Sequence, residues 1–97
     1  MAKTEQIDII DRKGHVDKEK HECHLKKSNG DQAAWVSKDG RTIIHFASSP
    51  FKDSVFFVPD GGAVLSGPPV NGVVGQDYKY NVDGPDGSAD PIIVIDP

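Results

Sequence analysis

Glycine and proline are spread along this whole sequence, and they separate short runs of β-branched or aromatic residues. The 97 residues include ten glycines and seven prolines. No long segment repeats its apolar residues at the spacing of a helix. Short apolar runs between turn-forming residues are typical of β-strands. The sequence therefore predicts an all-β fold.

Seven strands are predicted, and most are bounded by turn-forming residues. Their ranges are 6–10, 22–27, 32–37, 42–47, 54–58, 77–82 and 91–95. Asn29-Gly30 and Asp39-Gly40 are the dipeptides that favour tight hairpins. We expect a single domain over residues 1–97, in which residues 1–20 hold a first strand and a loop. The predicted architecture is a Greek-key β-sandwich of six to eight strands.

Alternation of apolar and polar residues indicates which side chains are buried. Cys23 and Leu25 are expected to face inward from one strand. In another strand Thr42, Ile44 and Phe46 share one face, and Ile43 and His45 share the other. The run at 91–95 is apolar on both faces and predicts an interior strand. Phe51, beside a proline, is expected to fold back as a plug. The core candidates are Trp35, Ile44, Phe46, Phe57, Tyr78, Tyr80, Val82, Ile93 and Ile95.

The overall charge limits the classes of partner. With 11 basic and 15 acidic residues the formal charge is -4, which disfavours nucleic acid and acidic membranes. No apolar run reaches the ~18 residues of a membrane span. The start lacks a secretion signal, so a cytoplasmic protein is expected, unless a leader has been removed. The single cysteine cannot form an internal disulfide.

Three segments resemble the cupredoxins, the plastocyanin-like Greek-key sandwiches. "LKKSNGDQAAWVS" (25–37) resembles the family's alternating strand with two lysines, a Gly-Asp turn, and a strand containing Trp and Val. "TIIHF" (42–46) resembles the His-x-Val-x-Phe strand, and "YKYNV" (78–82) the Tyr-x-Tyr/Phe-x-Cys strand. The resemblance covers residues 21–95 and implies a cupredoxin-like fold.

The copper ligands that this resemblance implies fall on residues of other types. The family's first histidine falls on Thr42 and its cysteine on Val82, and His45 pleats to the other face from Thr42. The second histidine and axial methionine belong in residues 83–90, which contain neither, and the only methionine is Met1. A blue-copper site needs two imidazoles, a thiolate and usually a thioether. The resemblance therefore implies a fold without copper, and we expect no cofactor.

"HECH" places His21, Cys23 and His24 within four residues. Imidazole and thiolate are good zinc or copper ligands. A strand puts His21 and Cys23 on one face and His24 on the other, so a metal site also needs His15, His45 or a second chain. The simpler interpretation is a core cysteine between solvated histidines.

The aspartates Asp83, Asp86 and Asp90 offer oxygen ligands for calcium, although their spacing is not that of an EF-hand and is also typical of turns. Ser48, Ser49, His45 and Asp53 lie near one another in sequence, but no nucleophile motif surrounds them. We therefore expect no enzyme.

The leading hypothesis is a non-catalytic, copper-free binding or structural module, monomeric or weakly dimeric, with an unknown protein or small-molecule partner.

Residues 59–74 and 83–90 are the loops expected to bind that partner, because loops on a rigid frame tolerate variation. The alternative hypothesis is a metal-binding protein that uses the His/Cys cluster.

Overall fold

The computed structural model describes residues 2–97. These residues form nine β-strands and two 3₁₀ helices, at Lys18–Lys20 and Lys27–Asn29. The strands are β1 (Thr4–Ile9), β2 (Glu22–Lys26), β3 (Gln32–Ser37), β4 (Thr42–Phe46), β5 (Val55–Val58), β6 (Ala63–Leu65), β7 (Asp77–Gly84), β8 (Gly87–Ala89) and β9 (Ile92–Asp96). One sheet has the order β1-β3-β6, and the other has the order β2-β9-β7-β4-β5, with β8 paired to β7. The predicted all-β sandwich is confirmed.

An aromatic cluster fills the space between the sheets. The Trp35 ring packs against four buried aromatic rings at centroid separations of 5.1–6.2 Å, those of Phe46, Phe51, Phe56 and Tyr80. Trp35 Nε1 donates a hydrogen bond to the Tyr80 hydroxyl at 3.2 Å, so the buried indole N–H has a partner. Phe51 is the predicted plug, and it is buried.

Most predicted core residues are buried, and one is not. The confirmed ones are Trp35, Ile44, Phe46, Tyr78, Tyr80, Val82, Ile93 and Ile95. The prediction that Phe57 is buried is wrong, because its side chain is 69% exposed. Among the described residues, strand β5 lies at the edge of its sheet, and its alternate residues Phe56 and Val58 face the core. Since successive side chains of a strand point to opposite faces, Phe57 faces solvent.

The predicted turns form, but they do not make hairpins. Gly30 has the expected left-handed φ of 71°, yet it joins β2 to β3, and these strands belong to different sheets. The turn at Asp39-Gly40 likewise leads from β3 to β4 in the opposite sheet. The β3 strand pairs in parallel with β1, and β2 pairs in parallel with β9. A glycine that permits a tight turn fixes the change of direction but not the pairing partner.

Two segments predicted to be irregular contain short strands. Strand β6 lies within residues 59–74, while the end of β7 and all of β8 lie within residues 83–90. The described residues thus form nine strands rather than six to eight, and the two additional strands have three residues each. Neither strand shows an apolar alternation long enough to be predicted from the sequence, although Val64 in β6 packs against the core. No helix between residues 2 and 97 is long and apolar enough to cross a membrane.

Candidate functional site: a cleft at one end of the sandwich

An open cleft of about 830 Å³ lies where the β3–β4, β5–β6 and β7–β8 connections meet. We call it the end cleft. Both segments predicted to bind a partner contribute to its lining. Pro59 and Asp60 come from residues 59–74, and Asp83, Gly84 and Pro85 come from residues 83–90. Ligand sites in proteins commonly have volumes of ~300–1,000 Å³, so the end cleft has the size of a binding site.

The floor of the end cleft is apolar. Ile43 on β4 and Phe57 on β5 both line it and are direct cross-strand partners. Thr42 and Ile44 point into the core, so Ile43 between them must point outward. Ile43 is 41% exposed and Phe57 is 69% exposed. Two large apolar side chains on one sheet surface, open to water, are a candidate contact for a partner.

Most charged groups of the end cleft are engaged within the protein. Arg12 Nε donates to Asp86 Oδ2 at 2.9 Å. The Asp83 carboxylate accepts a hydrogen bond from His45 Nε2 at 3.0 Å. Asp60 Oδ1 accepts a hydrogen bond from a backbone N–H of the β3–β4 turn at 2.9 Å. These contacts fix the positions of the connections around the cleft.

Arg41 is the exception. It lines the end cleft and is exposed. Its side chain forms neither a salt bridge nor a hydrogen bond with any residue between Ala2 and Pro97. A guanidinium presents a planar fork of N–H donors that matches a carboxylate or phosphate. The end cleft therefore combines an apolar floor with one available cation.

The β1–β2 connection is seated against the end of β7 beside the cleft. Arg12 O accepts a hydrogen bond from Asp86 N at 2.8 Å. Gly14 has a φ of 79°, and a Cβ atom at this position would overlap the carbonyl oxygen of Val82. The close approach of the two backbones thus depends on glycine. The N-terminal connection and the β7–β8 connection form one packed layer.

The positions to which the resemblance assigned copper ligands lie at this same end. Thr42 begins β4 and is buried, and its Oγ1 has no hydrogen-bond partner among the described residues. Val82 lies in β7 with its side chain in the core. Met1 lies outside the described residues. The only groups present at the first two positions are therefore a hydroxyl and an isopropyl group.

The "HECH" cluster divides between the two faces of β2. Cys23 is 2% exposed and faces the core, and burial raises the pKa of its thiol to about 11. His24 lies on the outer face, where its ring nitrogens contact Glu22 at 3.0 Å and Asp96 at 3.1 Å. These carboxylates, Glu22 first, raise the pKa of His24. His21 precedes the strand and is exposed.

The remaining candidate ligands are also apart. His15 lies on the β1–β2 connection, where its Nδ1 contacts Asp11 at 2.8 Å. The three aspartates considered for calcium each face a different basic group. The basic partners of Asp83, Asp86 and Asp90 are His45, Arg12 and Lys79, respectively. In the part of the chain that the structure describes, no three His, Cys, Asp or Glu side chains are grouped to hold a metal ion.

Sequence reasoning identified the two segments but missed two side chains that give the end cleft its chemistry, Phe57 and Arg41. Alternation in "TIIHF" places Ile43 on the face opposite the core candidates Ile44 and Phe46. Phe57 was assigned to the core, since a strand that is apolar on both faces gives no signal of which face is covered. Arg41 directly follows the predicted Asp39-Gly40 turn. No periodic signal marks it.

Comparisons with known proteins agree with the architecture. No family model matches the sequence, and no curated protein matches it. A solved structure of an amicyanin mutant in its reduced state matches with a TM-score of 0.62 and 18% sequence identity, covering 96% of this chain and 82% of that chain. Amicyanin is a cupredoxin. At this level of identity the likeness concerns the fold alone, and the chain has a cupredoxin-like β-sandwich fold.

Proposed function

We propose that this protein is a non-catalytic, copper-free binding module that recognises a protein or small-molecule partner at the end cleft, as a monomer or weak dimer. The observation that carries the proposal is the exposed Ile43–Phe57 pair on the floor of the cleft. Both residues stand on strands of the larger sheet. Sites on strands hold their side chains in fixed positions, and this lowers the entropy lost on binding.

The donor set supports the copper-free part of the proposal. A blue-copper ion takes two imidazoles, a thiolate and usually a weak thioether. Thr42 and Val82 occupy two of the implied positions, and the thiol of Cys23 points into the core. The aspartates of residues 83–90 are hard oxygen ligands, which suit other metals. These residues do not fit a blue-copper ion.

The hydrogen bonds around Ser49 support the non-catalytic part. A nucleophilic serine needs a histidine within hydrogen-bond reach to take its proton. The Ser49 hydroxyl instead donates to the backbone oxygen of Asp53 at 2.7 Å, and His45 is bonded to Asp83. The serine and the histidine are therefore each engaged elsewhere.

A metal-binding function based on His21, Cys23 and His24 is the weaker proposal. The buried thiol of Cys23 and the ion-paired ring of His24 lie on opposite faces of β2. Converting them into ligands of one ion requires the strand to leave the sheet.

Fragment screening by ¹H–¹⁵N NMR tests the binding function. Bound fragments should shift the amide signals of Ile43, Phe57 and Gly84, and Phe57→Ser should abolish these shifts. Leu65→Ser is the matched control, because Leu65 is similarly exposed at 57% but lies on β6 in the other sheet. Fragments that bind elsewhere, or that bind equally to Phe57→Ser, would refute the proposed site.

Addition of Cu(II) tests the copper-free part. We expect no intense thiolate-to-copper band near ~600 nm, because such a band needs an equatorial thiolate with imidazoles around it. An intense blue colour would contradict the assignment of Thr42 and Val82.

A further inference from the structure

We propose that the end cleft binds a short, extended peptide segment that carries an aromatic or aliphatic side chain next to a single carboxylate. This inference rests on the proposed function, and it names the chemistry of the partner. Three features support it: the apolar row on β5, the available cation of Arg41, and the open shape of the cleft beside an edge strand.

The apolar row continues beyond the floor of the cleft. Val55 and Phe57 are two residues apart on β5 and share its outer face, and both are exposed. Two residues of a strand span ~7 Å, which is also the distance between alternate side chains of an extended peptide. Ile43 widens this row at the end that lies in the cleft. Alternate apolar side chains of an extended segment therefore match the row in spacing and in character.

Arg41 is the reason why we expect the bound segment to carry a negative charge. It is the cation of the end cleft that no described carboxylate neutralises. A carboxylate that reaches it gains charge-assisted hydrogen bonds from a bidentate fork. Asp60 and Asp83 also line the cleft, and they repel additional negative charge. The structure therefore favours one carboxylate close to Arg41 over a run of acidic residues.

The shape of the site favours a peptide over a small molecule. A small-molecule site encloses ~70–90% of its ligand, whereas this floor is the outer face of a sheet. Strand β5 is the last in the order of its sheet within residues 2–97, so an extended segment can lie along it. A peptide reaches Val55 outside the cleft as well as Phe57 within it. Contact over this wider surface compensates for the partial enclosure.

Selection from a random seven-residue peptide library displayed on phage is the first test. The intact protein should enrich peptides that carry one Asp or Glu within two positions of an aromatic or large aliphatic residue. The same selection should give no such enrichment with Phe57→Ser. The control Leu65→Ser should enrich these peptides as the wild type does. Both substitutions change exposed side chains, so the fold should persist in each.

Binding of the most enriched peptide, labelled with fluorescein, is the second test. Arg41→Gln should weaken binding roughly 5–10-fold through the lost charge-assisted hydrogen bonds. Lys38→Gln is the matched control, because it removes the same charge from an exposed side chain in the same connection, outside the cleft. It should leave the affinity unchanged. Replacing the peptide's acid by its amide should match the loss seen with Arg41→Gln.

Each result distinguishes this inference from the proposed function. The selection could enrich apolar peptides that lack an acid, and Arg41→Gln could bind them as the wild type does. That result would overturn the predicted carboxylate but would still support the proposed binding function. The selection could instead enrich polyacidic peptides whose affinity falls equally in Arg41→Gln and Lys38→Gln. That result would indicate nonspecific electrostatic attraction and would overturn the inference. If the wild type enriches no more peptides than Phe57→Ser does, the inference that the partner is a peptide is overturned. The fragment screen then tests the binding function separately.

Discussion

Gly14→Ala tests whether the β1–β2 connection is seated on the end of β7. The substitution holds alanine at a φ of 79° and brings its methyl group into overlap with the Val82 carbonyl oxygen. Gly30→Ala is the matched control, because Gly30 has a similar φ of 71° with nothing within 4 Å of the added Cβ atom. The control therefore carries the backbone strain without the clash.

The expected magnitudes follow from these two terms. A left-handed backbone costs an alanine ~1–2 kcal/mol, which is the whole effect expected for Gly30→Ala. An added methylene-sized group in a packed site costs a further ~1–3 kcal/mol. The clash at Gly14 is with a backbone oxygen, which cannot rotate away as a side chain can. Gly14→Ala should therefore lose ~2–5 kcal/mol, a large part of the ~5–15 kcal/mol typical of a whole domain.

Urea unfolding followed by the fluorescence of Trp35 measures both losses, because this buried indole becomes exposed on unfolding. The midpoint should fall in both variants, and further in Gly14→Ala, with a similar slope if both unfold in one step. Equal losses in the two variants, within ~0.5 kcal/mol, would refute the close packing of the connection on β7.

Three further predictions concern strand β2. A thiol reagent should label Cys23 only as the protein unfolds, because burial raises the pKa of its thiol to about 11; labelling of the native protein within minutes would contradict this burial. Glu22 and Asp96 raise the pKa of His24, so the wild type should exceed His24→Asn in stability below the unfolded-state pKa of ~6.5. That excess stability should disappear as the pH rises through the raised pKa of His24. An excess that grows with pH would contradict the raised pKa. Calorimetric titration with Zn²⁺ should give a dissociation constant weaker than ~1 µM, since Cys23 and His24 point to opposite faces; tighter binding would indicate ligands from other elements.

Local patterns in the sequence predicted the strands well. In "ECHLK" and "DYKYNV" the apolar residues alternate, and the structure buries Cys23, Leu25, Tyr78, Tyr80 and Val82 accordingly. Such a pattern is decided by the two faces of one strand and needs no knowledge of distant residues. The buried faces of these strands were therefore predictable.

The pairing of the strands was not predictable in the same way. Gly30 permits the turn that follows β2, but β2 lies beside β9 and not beside β3. The choice depends on which distant strand offers a complementary edge, and local residues do not encode it. The same limit applies to Phe57, because the sequence of β5 does not show which of its apolar faces the second sheet covers. Arg41, Ile43 and Phe57 become one site only when β4 and β5 pair beside the turn.

The parallel pairing of β2 with β9 also sets the order in which the domain can be completed during synthesis. Residues 22–26 leave the ribosome long before residues 92–96, by roughly 3–13 s at ~5–20 residues per second. Throughout that interval β2 lacks the neighbour that it has in the finished sheet. An unpaired strand edge with Cys23 and Leu25 on one face is prone to bind other chains. A nascent chain halted before residue 92 should therefore carry an accessible Cys23 thiol, which the complete domain conceals.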